Sequence, residues 1–308
     1  MRNDRPSFAQ DDQRPVIVGV DDSDSAHEAT SWAADLASIW RAPLVLLHAV
    51  PYGHGTPAEE PSWLRSLAAR AVRPGLAVSA EVVPGGAEEI LLERSSGARL
   101  VAVGSYGEGA AAGMLSGTVA AALAAGSACP VAVVRGVGTR VSPSGEGPVV
   151  VGVDGSPAGA AALRFAADIA ARLGSRLVAV HAWTDVLPGT EGGVHRASEG
   201  WEVLAERGAT DLADALEPVF ARYPLLVVGQ HVVHDTPLQA LIDLAGSARM
   251  LVVGDHGVEP RRGMLIGSTS AALVAFAPCP VIIIPSGVPA GAAPVHVGSR
   301  SDHGARTT

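Results

Sequence analysis

Short apolar runs alternate along this chain with longer stretches in which apolar residues return every three or four positions. The first run, Pro15 to Val20, reads as a strand buried on both faces. Ser25 to Trp40 then has helical spacing, with Ala26, Ala29, Ala33, Leu36, Ala37 and Trp40 forming one stripe. Residues 43 to 50 give a second strand, 61 to 72 a helix, 76 to 83 an alternating strand and 87 to 96 another helix. A fourth strand at 100 to 103, a small-residue helix beginning near Thr118 and a closing strand at 131 to 134 complete the set. Strand and helix in alternation predict a parallel sheet of five strands with helices on both faces.

The pattern then repeats. VVVGVDGS at 149 to 156 answers VIVGVDDS at 16 to 23, and RLVAVHAW at 176 to 183 answers PLVLLHAV at 43 to 50. Asp21 and Asp154 lie 133 positions apart, as do His48 and His181, whereas Gly104 and Gly254 lie 150 apart, as do Cys129 and Cys279. The second half has therefore gained 17 residues between its second and third strands. That insertion is expected to lengthen the second helix or the loop before it. Polar residues 1 to 14 read as a flexible tail, 136 to 147 as a Gly/Pro/Ser-rich linker and 286 to 308 as a disordered tail. Two domains remain, 15 to 135 and 148 to 285.

Each fourth strand runs into a glycine pattern: GSYGEGAAAGMLSGT from Gly104 to Thr118, and GDHGVEPRRGMLIGS from Gly254 to Ser268. Both read Gly-x-x-Gly, nine residues, then Gly followed by Ser or Thr. A single Gly-x-x-Gly in a chain with 36 glycines is only a turn signal. Its recurrence with the same spacing, after a strand and before a helix, is more specific. Such a junction offers free N–H groups and the positive end of a helix dipole to an anion, so it reads as a phosphate cradle present twice.

Composition narrows the chemistry. A net charge of −9, with no basic run, argues against a nucleic-acid partner. All 22 basic residues are arginine, which removes a Walker-type P-loop and a pyridoxal Schiff base together. Cys129 and Cys279 are too isolated for a zinc site, and each reads as a small buried residue before a helix-stopping proline. Free thiols without a signal peptide point to a reducing cytoplasm. Gly109 to Val134 carries no charge but is broken by Gly113, Gly117, Gly126 and Pro130, so no membrane span is expected.

With these motifs in both halves, and each half opening on Gly-Val-Asp, the chain resembles the universal stress protein family in its tandem form. The resemblance implies two Rossmann-like α/β domains with a doubly wound, five-stranded parallel sheet of order 3-2-1-4-5. It also implies pairing through the last strands, hence an internal pseudo-dimer or a homodimer, with protein partners left unnamed. Residue by residue, it assigns Asp21 and Asp154 to the nucleoside and the backbone of Ala49 and Ala182 to adenine. The ribose and phosphate loop falls to Gly104, Gly107, Gly254 and Gly257. The phosphate-binding helix start falls to Gly117, Thr118, Gly267 and Ser268. Either aspartate is equally readable as a cap for the following helix.

The ligand implied is ATP, with Mg²⁺ where carboxylates crowd the phosphates. Asp22 and Asp24 are expected to weaken the first site by repulsion, and Arg261 and Arg262 to strengthen the second. His48 and His181 read as hydrogen-bonded core residues, and no residue stands out as catalytic. The leading expectation is a nucleotide-dependent regulator that is not an enzyme. A slow ATP hydrolase and a nucleotide-free scaffold remain the alternatives.

Overall fold

The computed structural model describes residues 13–52, 60–106, 117–135, 147–183, 186–188, 194–196, 201–257 and 266–286. In the first half the order is β1 (Val16–Gly19), α1 (Asp24–Trp40), β2 (Leu44–Val50), α2 (Ser62–Ala71), β3 (Val78–Pro84), α3 (Ala87–Ser95), β4 (Leu100–Gly104), α4 (Thr118–Gly126) and β5 (Val131–Val134). The second half opens with β6 (Val149–Gly152), α5 (Pro157–Leu173) and β7 (Leu177–Trp183). A small hairpin of β8 (Val186–Pro188) and β9 (Val194–Arg196) follows, then α6 (Trp201–Arg222). It closes with β10 (Val228–His234), α7 (Pro237–Ala245), β11 (Met250–Gly254), α8 (Ser268–Phe276) and β12 (Val281–Ile284).

The strands form one ten-stranded sheet, β10-β7-β6-β11-β12-β5-β4-β1-β2-β3. Read from its own third strand, each half has the order 3-2-1-4-5, parallel throughout, as the resemblance implied. The halves meet where β12 pairs antiparallel with β5, setting Val281 opposite Val133 and Ile283 opposite Val131. The two last strands thus cover each other's edges, the places where an open sheet would recruit another chain.

Alternation along the central strands supplies both faces. Val16, Val18, Leu100 and Ala102 pack beneath α1, α2, α5 and α6, whereas Ile17, Val101 and Val103 pack with α3, α4, α7 and α8. Strands buried on both sides need this continuous apolar composition. Helix α1 starts where the Ser23 hydroxyl accepts from the Ala26 N–H, and α5 where Ser156 accepts from Gly159, with Pro157 in the first turn. They end in the left-handed conformation at Arg41 (φ 54°) and Gly174 (φ 61°). Cys129 and Cys279 are buried free thiols ahead of Pro130 and Pro280. Burial pushes their pKa up to about 11 and about 12, so they stay protonated and inert at neutral pH.

The inserted residues do two things. Helix α6 has 22 residues where α2 has 10, and the hairpin of β8 and β9 precedes it. The expectation of a longer helix or loop did not include the hairpin, because three-residue strands carry no readable period. Both additions sit between the second and third strands of that half. Among the described residues no helix is long and apolar enough to cross a membrane. Residues 109–116 of the uncharged stretch, the 136–146 part of the linker, and residues 1–12 and 287–308 of the tails lie outside the described residues.

Candidate functional site

Parallel strands place all their carboxyl ends on one edge, and in each half the strand order reverses between the first and fourth strands, opening a crevice there. The first half has a cavity of about 420 Å³ at this point and the second one of about 370 Å³. Asp21, Ala49, Gly104, Gly117 and Thr118 all line the first. Asp154, Ala182, Gly254, Gly257, Gly267 and Ser268 all line the second. Gly107, Arg261 and Arg262 lie outside the described residues.

The floor of each cavity follows from strand ends and helix starts. Val20 N–H donates to Leu47 O at 2.9 Å and Val153 N–H to Val180 O at 2.8 Å, which prolongs the first strand up to its aspartate. The carboxylate then turns back on its own chain. Asp21 Oδ1 accepts from the Ser23 N–H at 3.2 Å and hydroxyl at 2.5 Å. Asp154 Oδ1 accepts from the Ser156 N–H at 3.0 Å and hydroxyl at 2.7 Å. The serine is therefore the helix cap, and the aspartate braces the cap rather than being it. Asp154 is exposed and Asp21 half-buried.

The glycine loop is pinched at its base in both halves. Gly117 N–H donates to Ser105 O at 2.6 Å and Gly267 N–H to Asp255 O at 2.7 Å, so the helix start returns to the strand end it left. Close approach explains the first glycine. A Cβ on Gly254 would lie 2.6 Å from Ala158 Cβ and 2.9 Å from its carbonyl carbon; one on Gly104 would lie 2.8 Å from the Ser25 carbonyl carbon. The helices α4 and α8 begin without a side-chain cap, at Gly117 and Gly267, so their first N–H groups face the cavity unclaimed by a capping side chain.

Several lining residues were not singled out in the sequence. Leu91 of α3 and Leu241 of α7 form an apolar wall in corresponding places. Tyr106 lines the first cavity and His256 the second, each directly before the second glycine of its pattern. His256 Nδ1 lies 3.4 Å from Asp255 Oδ2. The helix starts also differ: Thr118, Val119 and Ala120 in the first cavity against Ser268, Thr269 and Ser270 in the second. Ser270 Oγ donates to Gly254 O at 2.7 Å, a brace that Ala120 cannot make. The repeated spacing aligns these triplets, so this signal was readable.

Other expectations resolve differently. His48 Nδ1 donates to Val20 O and His181 Nδ1 to Val153 O, each at 2.9 Å, the hydrogen-bonded role read from the sequence. Asp22 and Asp24 are not among the residues lining the first cavity. Asp24 sits in the first turn of α1, where a carboxylate suits the helix dipole, and Asp22 Oδ1 is 3.6 Å from His27 Nε2. Among the described residues no group of three or more His, Cys, Asp or Glu side chains is placed to hold a metal.

A duplicated α/β architecture, with a glycine loop and an uncapped helix start at each crevice, defines the class of protein. A model of the universal stress protein family matches residues 13–135 and 147–285. Two universal stress proteins of Mycobacterium tuberculosis are similar over nearly their whole length. Rv2005c is 34% identical over 294 residues, covering 88% of this chain and 97% of that one. Rv2623 is 33% identical over 287 residues, covering 87% and 95%. A crystal structure of a universal stress protein from Archaeoglobus fulgidus superposes with a TM-score of 0.63 at 18% identity, covering 90% of this chain and all of that one, a likeness of fold. The chain belongs to the universal stress protein family.

Proposed function

We propose that this chain is an ATP-binding universal stress protein acting in the cytoplasm as a nucleotide-dependent regulator, not an enzyme, with one nucleotide in each cavity. In this reading adenine packs against the Leu91 or Leu241 wall and meets the backbone at Ala49 or Ala182. The ribose hydroxyls donate to Asp21 or Asp154. The phosphates take the N–H groups and hydroxyls at Gly117 and Thr118, or Gly267 and Ser268, with Gly107 and Gly257 on the loop. The observation that carries the reading is the recurrence, in both halves, of a carboxylate, the end of the second strand and an uncapped helix start around one crevice.

Mg²⁺ fits as an ion arriving on the phosphates, since this ion keeps several waters and takes only one or two protein carboxylates. Asp154, exposed and lining the second cavity with Ser268 and Thr269, is a suitable oxygen donor there. The buried free thiols accord with a reducing compartment.

The test is to denature freshly purified protein and measure the nucleotide released. The wild-type chain is expected to release an adenine nucleotide, and a Gly257→Val, Gly267→Val double variant to release less per chain. A Cβ at 257 would stand 3.1 Å from Asp154 Oδ2 and one at 267 would stand 3.2 Å from Asp255 O, so valine fills the crevice without entering the sheet. If neither release nor an ATP-dependent melting shift is seen, the scaffold reading replaces this one; ligand at 100 times its dissociation constant adds about 2.7 kcal/mol, which melting detects.

A further inference from the structure

Arg135 follows the last strand of the first half, yet its side chain ends in the second half. The guanidinium donates to three carbonyls at the end of α8: Nε to Ala277 O at 3.1 Å, Nη2 to Val274 O at 3.3 Å, and Nη2 to Ala275 O. These are the carbonyls that a helix leaves without intrahelical partners, and a cation there complements the negative end of the dipole. α8 itself has no basic residue in its last turn. The residue 150 positions on is Pro285, which has no donor to offer the end of α4.

The other end of α8 is the second cavity, lined by Gly267, Ser268, Thr269 and Ser270. With nine residues the helix spans about 13 Å at 1.5 Å per residue, so one rigid body carries both the clasp and the cradle. We propose that Arg135 is a positioning residue for the second cavity: the first half of the chain holds α8 from behind, and so sets the anion affinity of the second half's helix start. The ligand in this inference rests on the nucleotide reading above; the hold on α8 does not.

Two measurements on the full chain separate these parts. Without nucleotide, Arg135→Met is expected to speed hydrogen exchange of the α8 amides by about tenfold while leaving α4 unchanged; unchanged exchange in α8 overturns the proposal whether or not ATP binds. With Mg-ATP, Asp21→Ala isolates the second cavity and Asp154→Ala the first. In the Asp21→Ala background Arg135→Met should weaken binding about fivefold, and in the Asp154→Ala background by less than about twofold. Equal loss in both, or none in either, overturns the positioning role. Arg135→Lys keeps a cation at the same carbonyls and should retain most of the affinity, which separates the clasp from a general loss of folding. If the wild-type chain takes no nucleotide, the nucleotide reading fails while the exchange result still decides the role of Arg135.

Discussion

The two cavities share a floor and differ at the helix start. In the first, one hydroxyl, Thr118, precedes the apolar Val119 and Ala120; in the second, Ser268, Thr269 and Ser270 stand in line. The second has two braces of its own, Ser270 on Gly254 O at its front and Arg135 behind α8, and the first has one of its own, the Ser25 hydroxyl on Tyr106 O, where the second has Ala158. Duplication has kept the parts that set the sheet, caps and crevice, and varied the parts that would meet a phosphate. Two copies of one fold therefore need not be two copies of one site. Of the residues expected to make the sites unequal, Asp22 and Asp24 belong to the start of α1, and Arg261 and Arg262 lie outside the described residues.

The largest effect should come from breaking the crevice in one half. Gly254→Val forces a Cβ against the backbone of α5, and overpacking of this kind costs about 1–3 kcal/mol. Urea denaturation should show that loss, and nucleotide bound per chain should fall at the second cavity while the first keeps its ligand. A smaller effect should come from exchanging the helix starts. Thr269→Val removes a hydroxyl from the second cavity, and Val119→Thr adds one to the first. A hydrogen bond to a charged group is worth about 1.5–3 kcal/mol, so each exchange should move the ATP dissociation constant of its own cavity by about ten- to a hundredfold, in opposite directions. Equilibrium binding on the Asp154→Ala and Asp21→Ala backgrounds reads the two cavities separately.

Much of this organisation is visible in the chain before any coordinates. The strands of each half announce themselves as apolar runs, because both faces are covered, and α1 shows its buried stripe from Ala26 to Trp40. The crevice residues follow from the glycine spacing and its duplication. Contacts between distant residues are another matter. Arg135 meets α8 across 139 to 142 positions, and nothing local to Arg135 or Ala277 marks the pair. The antiparallel join of β5 and β12 was reachable only through the family resemblance, since two short buried strands look alike whichever neighbour they take. Asp21 and Asp154 read equally well as caps; the division of labour with Ser23 and Ser156 needed geometry. The Ser268–Thr269–Ser270 triplet, by contrast, was open to view once the halves were aligned.

The central claim is that the chain carries two unequal nucleotide sites. Calorimetric titration of nucleotide-free full-length protein with Mg-ATP tests it most directly. Two classes of site are expected, the tighter one lost in Asp154→Ala and the weaker one in Asp21→Ala. Two sites of equal affinity, a tighter site that survives Asp154→Ala, or no binding at all would contradict the account.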